Sequence, residues 1–338
     1  MLLQIDHETK LTYSEPVAET VFEVRMAPVS TEDQTVLGYR LRITPPAPVT
    51  AYRDGFGNRV DLFNVLSPHQ EVVVRATSHV RVHRRPGRER LAEVAWPGED
   101  PVAIEALEFL QPSPLVDRSA ALESFLREQP APEGTHGAVL EKLLAAVGQR
   151  LKYEKKVTTA RTPLSEALKL GRGVCQDFAH LMLGACRAIG WPARYVSGYV
   201  NHPGEIATHA WCQVWGGSAV GWVDVDPTQG KYIGADHVVT AVGRDYFDVP
   251  PNRGVWKGKA EETITVAVKV EPVERLPAGG NELGMASSWS AAAASAFQRQ
   301  VRANSLHFQA RPGGSIRHQQ SQQQQVRVRG TGSPSPRR

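Results

Sequence analysis

The chain has 338 residues, 41% hydrophobic and 22% charged, with a formal charge of +4 and a pI near 9.0, the composition of a globular protein long enough for two domains. No run approaches the roughly 18 consecutive apolar residues of a membrane-spanning helix, and the start, Met1-Leu-Leu-Gln-Ile-Asp-His-Glu, lacks the basic flank and apolar core of a signal peptide, which predicts a cytoplasmic protein. Three cysteines, Cys175, Cys186 and Cys212, are too few and odd in number for a disulfide framework, so reduced thiols are expected.

In chain order, residues 1 to about 85 read as short strands. Tyr39 to Thr44 alternates apolar and polar residues with period two, and Glu71 to Ala76 followed by Val80 to Val82 is β-branched. Asp54-Gly55-Phe56-Gly57-Asn58 is a turn cluster between such runs. An antiparallel β-sandwich is expected over 1–85. The charged segment His83-Arg84-Arg85-Pro86-Gly87-Arg88 then opens a linker over 86–110.

Beyond it the period becomes helical. Val139, Leu140, Leu143, Leu144, Val147 and Leu151 fall on one stripe, Pro163 to Leu170 predicts a second helix closed by Gly171, and Cys175 to Ile189 a third stopped by Gly190. The third is apolar nearly all round, as a helix at a domain centre would be. Strands follow at Arg194 to Val200, Thr208 to Trp215, Val220 to Asp226 and Thr263 to Val270. The expected fold is α+β: the sandwich, then a catalytic domain over 111–275 in which helices pack on an antiparallel sheet and which ends in a strand, then a disordered tail over 276–338.

The charge is divided between body and tail. Residues 291–338 hold eight arginines and no Lys, Asp or Glu, whereas residues 1–290 hold 31 basic and 35 acidic residues. The tail, with its Gln322 to Gln325 run and Ser-Pro repeats, reads as a solvated extension. Without aromatics interleaved among its arginines, it predicts at most weak nucleic-acid binding.

Cys175 stands at the first turn of the central helix, where unpaired backbone N–H groups and the helix dipole favour a thiolate. The segment Thr208-His209-Ala210-Trp211-Cys212-Gln213-Val214-Trp215, a glycine-containing turn and Val220-Gly221-Trp222-Val223-Asp224-Val225-Asp226 form a hairpin pattern. If Trp215 and Val220 close a four-residue loop, His209 stands opposite Asp226 and Trp211 opposite Asp224, all on one face. Asp226 is thereby preferred over Asp224 as the acid that orients the histidine. Trp211 and Trp222 are candidates for lining a substrate groove, although aromatics on such a face also serve as core. His180 and Cys186 read as structural, and Asp177 as a ligand of a backbone group, Arg172 or Arg194. A metal set of Cys175, His180, Cys186, His209 and Cys212 has spacings that match no common zinc pattern, so neither metal nor cofactor is expected.

The stretches Gly173-Val174-Cys175-Gln176-Asp177-Phe178-Ala179-His180 and Gly190-Trp191-Pro192-Ala193-Arg194-Tyr195, with His209-Ala210-Trp211 and Trp222-x-x-x-Asp226-Pro227-Thr228, resemble the bacterial branch of the transglutaminase-like superfamily. Asp54 to Asn58 and Ser67-Pro68-His69 are similar to the β-rich domain that precedes the core in that branch. The resemblance covers residues 1 to about 272 and implies a papain-like core with Cys175 as nucleophile, His209 as base and Asp226 as orienting acid. It implies a protein or peptide substrate attacked at a glutamine carboxamide or peptide bond, with an amine or water resolving the thioester. Gln176 replaces the Trp that follows the nucleophile in animal cross-linking enzymes, and no carboxylate-rich calcium loop is present, so calcium-gated cross-linking is not implied. A cysteine peptidase or amidase, or a scaffold that retains the fold without catalysis, are the alternative readings.

Overall fold

The computed structural model describes residues 1–83, 87–98, 102–201, 208–276 and 319–320. Residues 84–85 of the expected sandwich, 86 and 99–101 of the expected linker and, apart from 319–320, the expected tail from 277 onward lie outside the described residues.

The chain folds as α+β. The first strand, β1 (Leu2–Val17), is 16 residues long, and buried residues alternate with more exposed ones along it as far as Tyr13. It is followed by β2 (Glu19–Val24), β3 (Gln34–Thr44), β4 (Val49–Arg53), β5 (Arg59–Val65) and β6 (His69–Val82). The two runs expected at 71–76 and 80–82 are one strand, because Thr77, Ser78 and His79 continue the pairing with β1 and β3. Asp54 forms the turn between β4 and β5 by accepting hydrogen bonds from the backbone N–H groups of Phe56 and Asn58, both 3.0 Å.

The helical layer comprises α1 (Gly87–Leu91), α2 (Ile104–Leu107), α3 (Ala120–Arg127), α4 (His136–Arg150), α5 (Leu164–Leu170) and α6 (Cys175–Ala188), with the two-residue strands β7 (Lys152–Tyr153) and β8 (Arg172–Gly173) pairing in parallel. Then come β9 (Ala193–Val200), β10 (Thr208–Trp215), β11 (Trp222–Asp226), β12 (Lys231–Tyr232), β13 (His237–Gly243), β14 (Asn252–Lys257), β15 (Glu262–Pro272) and β16 (Gln319–Gln320). An antiparallel sheet in the order β12-β11-β10-β9-β13 carries the helices, and α6 is buried from Cys175 to Arg187 against it. β13 has no alternating pattern because every residue in it is buried, which hides it from period-two reading.

The last two long strands do not belong to that sheet. β15 pairs with β1 over 11 residues and β14 pairs with β2, giving sheets ordered β15-β1-β6-β3 and β16-β14-β2-β5-β4. These two sheets face each other across Leu11, Tyr13, Phe22, Val24, Phe63, Val72, Val74 and Trp256. The strand expected to end the catalytic unit thus completes the N-terminal sandwich, which is assembled from both ends of the described chain. Local sequence cannot reveal this, since a strand's partner is set by long-range pairing.

The sandwich also covers the outer edge of β13. Gln34 donates to and accepts from the backbone of Val239, both 2.9 Å, and Asn58 does the same with Val242, both 2.8 Å. Two side-chain amides thereby satisfy peptide groups that an exposed edge strand would leave open.

Candidate functional site

The approach to Cys175 is held by backbone contacts. Gly171 ends α5 in the left-handed conformation, φ 65°, and the next residues pair with the segment after α4, where Glu154 N–H donates to Gly173 O at 2.8 Å. A side chain at Gly173 would collide with the Asp177 carboxyl, a Cβ there lying 2.3 Å from Oδ2. That carboxyl accepts from Val174 N–H and Thr158 Oγ1–H, both 2.7 Å, and so pins the residue before Cys175. Burial pushes Asp177 up to about 6 against these hydrogen bonds. Asp177 therefore binds backbone; Arg172 pairs with Glu154 at 3.2 Å and Arg194 donates to Gln213 at 2.7 Å.

Cys175 is 8% exposed, whereas Cys186 and Cys212 are fully buried. Burial pushes the Cys186 thiol up to about 12 and the Cys212 thiol well above its ordinary value, the latter donating to Ala179 O at 3.4 Å. Of the three sulfurs, only that of Cys175 combines a helix N-terminus with access to solvent.

The β10–β11 hairpin closes at Trp215 and Trp222 around a six-residue loop, 216–221, instead of at Trp215 and Val220. Gly217 and Gly221 adopt φ of 89° and 71°, and Gly216 N–H donates to Gly221 O at 2.8 Å. The register is displaced by two residues from the expected one, which preserves every face because side chains alternate with period two. His209 and Asp226 become diagonal neighbours on that face, and His209 Nε2 donates to Asp226 Oδ2 at 2.8 Å. Asp224 instead accepts from Trp211 Nε1 at 2.7 Å and Gln213 Nε2 at 3.0 Å.

Cys175 stands near enough to His209 to favour the protonated ring. With Nε2 on Asp226, the ring nitrogen left for sulfur is Nδ1. Burial alone would lower His209, but Asp226 and Cys175 prevail and raise it to about 10, so the ring is an imidazolium across neutral pH. Asp226 is fully buried, and burial pushes its carboxyl up, yet His209 and His237 hold it well below the usual carboxylate range. Its other oxygen accepts from the backbone N–H of Thr228 at 2.8 Å and of Gln229 at 3.2 Å.

The two tryptophans differ in burial and place. Trp211 is fully buried and backs His209, with ring centroids 6.2 Å apart and planes at 26°, so it presents no surface to a bound molecule. Trp222 lies four residues from Asp226, about 13 Å along the strand. It packs there on Trp215, Phe109 and the Arg194 guanidinium, the last 4.2 Å from its ring. Gln176 is buried, with Nε2 3.5 Å from Thr159 O. His180 is a core histidine, lowered to about 4 by burial, accepting from Tyr246 N–H at 3.4 Å.

One neighbour of the site carries no sequence signal. His237, the first residue of β13, lies 3.8 Å from Asp226 Oδ2, and its ring meets those of His209 and Trp211. His209, Asp226 and His237 place one ligand atom each within 4.8 Å, close enough for a cation, while none of Cys186, His180 or Cys212 joins them. Among the described residues no helix is long and apolar enough to cross a membrane.

Comparison with known proteins places this geometry. Residues 3–81 match the bacterial transglutaminase-like N-terminal region, and residues 123–227 match the core of the transglutaminase-like superfamily. An uncharacterized protein of Mycobacterium tuberculosis is 34% identical over 296 residues, 80% of this chain and 93% of the relative. One from Mycobacterium leprae is 31% identical over 286 residues, 79% of this chain and 98% of the relative. A protein-glutamine gamma-glutamyltransferase of Pseudomonas aeruginosa is 32% identical over 105 residues, 26% of this chain and 16% of that protein. The fold is shared with a solved structure of a candidate cysteine protease from Cytophaga hutchinsonii, at a TM-score of 0.64 and 24% identity over 82% of this chain and 93% of that one. With both the β-rich region and the core matched in their family order, this chain belongs to the transglutaminase-like superfamily, in its bacterial form.

Proposed function

We propose that Cys175, His209 and Asp226 act together in acyl transfer at a carboxamide or peptide carbonyl of a protein or peptide substrate. The observation that carries this reading is the buried imidazole of His209, bonded to Asp226 at 2.8 Å and raised by both Asp226 and Cys175. The sulfur attacks the carbonyl carbon, and the carbon–nitrogen bond breaks as His209 passes its proton to the leaving amine. A thioester on Cys175 results. An amine or water then attacks the thioester carbonyl, His209 takes the proton, and the sulfur leaves as thiolate. The Cys175 backbone N–H, at the start of α6, is a donor for the oxyanion. Asp226 stays ionised and fixes the ring.

Transfer to an amine is the preferred outcome, supported by the stretch similar to a protein-glutamine gamma-glutamyltransferase. Hydrolysis by the same thioester is the second outcome. The three reduced cysteines suit a cytoplasmic address.

The deciding experiment incubates the protein and its Cys175→Ala variant with glutamine-containing peptides, with and without a primary amine, after titration with an electrophilic thiol probe. Amine incorporation that requires Cys175 is the expected result, and ammonia or peptide release alone would assign a hydrolase. An unlabelled Cys175 with neither product would overturn the reading in favour of a scaffold.

A further inference from the structure

Asp226 is contacted by two histidines. His237 is fully buried, and its Nε2 lies 3.8 Å from the same Oδ2 that accepts from His209. Its Nδ1 lies 2.9 Å from Asp236 Oδ1, and Lys231 Nζ lies 3.6 Å from Asp236 Oδ2. A line of polar side chains therefore runs from the surface toward the sulfur: Lys231, Asp236, His237, Asp226, His209, Cys175. Both ring nitrogens of His237 face carboxylate oxygens, Nδ1 at hydrogen-bond distance and Nε2 further off. The carboxylates answer in kind. Asp236 is held well below the usual range first of all by His237, and Asp226 by His209 and His237 together.

This is more than a core position requires. The ring packs edge-on against Trp211, with centroids 5.2 Å apart, and a phenyl group would fill that place without desolvating two nitrogens. Nδ1 instead meets Asp236, and Nε2 lies by the one oxygen of Asp226 that is not already tied to the Thr228 and Gln229 backbone. Oδ1 is thus fixed by the chain's own turn, and Oδ2 lies between His209 and His237.

We infer that His237 is a positioning residue: clamped by Asp236, it holds the Asp226 carboxylate in place so that Asp226 keeps His209 turned toward Cys175. The inference rests on the proposed acyl-transfer set and adds a group to it that touches neither substrate nor sulfur. Removal of His237 leaves Asp226 Oδ2 with one histidine beside it instead of two and loosens its hold on the His209 ring.

The test is the rate of Cys175 alkylation by iodoacetamide between pH 5 and pH 9, read by mass spectrometry of its peptide in the full chain, with thermal melting to verify folding. Parent and His209→Ala are compared first. Equal profiles would overturn the proposed set and this inference with it. Given an activated parent thiol, His237→Phe is expected to move the reactive limb up by about one pH unit, a loss of about fivefold in rate at pH 5. His237→Gln, which keeps a donor toward Asp226, is expected to recover part of that rate, and Asp236→Asn to shift the limb less in the same direction. A folded His237→Phe with the parent profile would overturn the inference while leaving the set intact. If that variant does not fold, Asp236→Asn, at a side chain 25% exposed, decides by the same criterion. Stoichiometric zinc in the purified parent that is lost on substituting His237 would also overturn it, because the two histidines and Asp226 would then be metal ligands.

Discussion

Replacement of Asp226 by Asn separates the shape of the site from its charge. The backbone N–H groups of Thr228 and Gln229 point at Oδ1, so the Asn carbonyl oxygen takes that end and the amide NH₂ falls where Oδ2 now accepts from His209. Two donors would then face each other at 2.8 Å. The ring relieves the conflict by carrying its proton on Nδ1, toward Cys175, and in that tautomer it cannot accept the thiol proton. The same error of tautomer in a serine protease triad lowers turnover on the order of 10⁴-fold, so a loss of about 10³–10⁴ is expected here. Stability should suffer far less: one hydrogen bond to a charged group contributes about 2 kcal/mol, or about 4–8 °C in melting temperature for a unit of this size.

The pH dependence should change as well. Asp226 is the leading cause of the elevation of His209 to about 10, so in the variant the imidazolium loses its proton at lower pH. Alkylation of the parent should be nearly level from pH 6 to pH 9, whereas the variant should climb with pH as an unassisted thiol does. The assay is iodoacetamide alkylation of Cys175 across that range alongside melting curves. Alkylation within tenfold of the parent at pH 6, in a folded Asp226→Asn protein, would refute the reasoning.

Three further predictions follow from the frame around the site. Gly198→Ala would set a Cβ 2.2 Å from Val238 O and 2.4 Å from the Trp211 ring in the middle of the sheet, and should lower the unfolding free energy by about 3 kcal/mol, read as a lower denaturant midpoint with unchanged slope; a parent-like midpoint would contradict the packing described. Asn58→Ala strips the buried Val242 N–H and C=O of their partners and should destabilise by about 2–4 kcal/mol in urea titrations, an effect under 0.5 kcal/mol showing that the docking of the sandwich on β13 contributes little. Burial pushes Glu262 up to about 7, with the nearby Tyr13 hydroxyl opposing it, so the folded protein holds a proton there that the unfolded chain releases near 4.5. Stability from this group therefore falls as pH rises from about 4.5 to 7, and Glu262→Gln should melt above the parent at pH 8 but not at pH 4, equal differences at both being the contrary result.

The pairing of His209 with Asp226 was legible before any coordinates because the face of a strand depends on parity alone. Counting from Trp215 and Val220 misjudged the loop by two residues, and an error of two leaves both side chains on the same side; an error of one would have separated them. The start of α6 at Cys175, its stop near Gly190 and the end of α5 at Gly171 were legible for a similar reason, since helix ends are written in local residue types. By contrast, only the tertiary structure decided that β14 and β15 return to the N-terminal sheets, that Trp211 is a buried support and Trp222 lies at the far end of β11, and that His237 closes on Asp226. Each is a contact between residues distant in sequence or a matter of how deeply a side chain is covered. His237 shows this most plainly: it sits 11 residues beyond Asp226 in a strand buried on every side, and nothing local marks which carboxylate its ring will face. Periodicity specifies which face a residue occupies, but long-range packing specifies what that face meets.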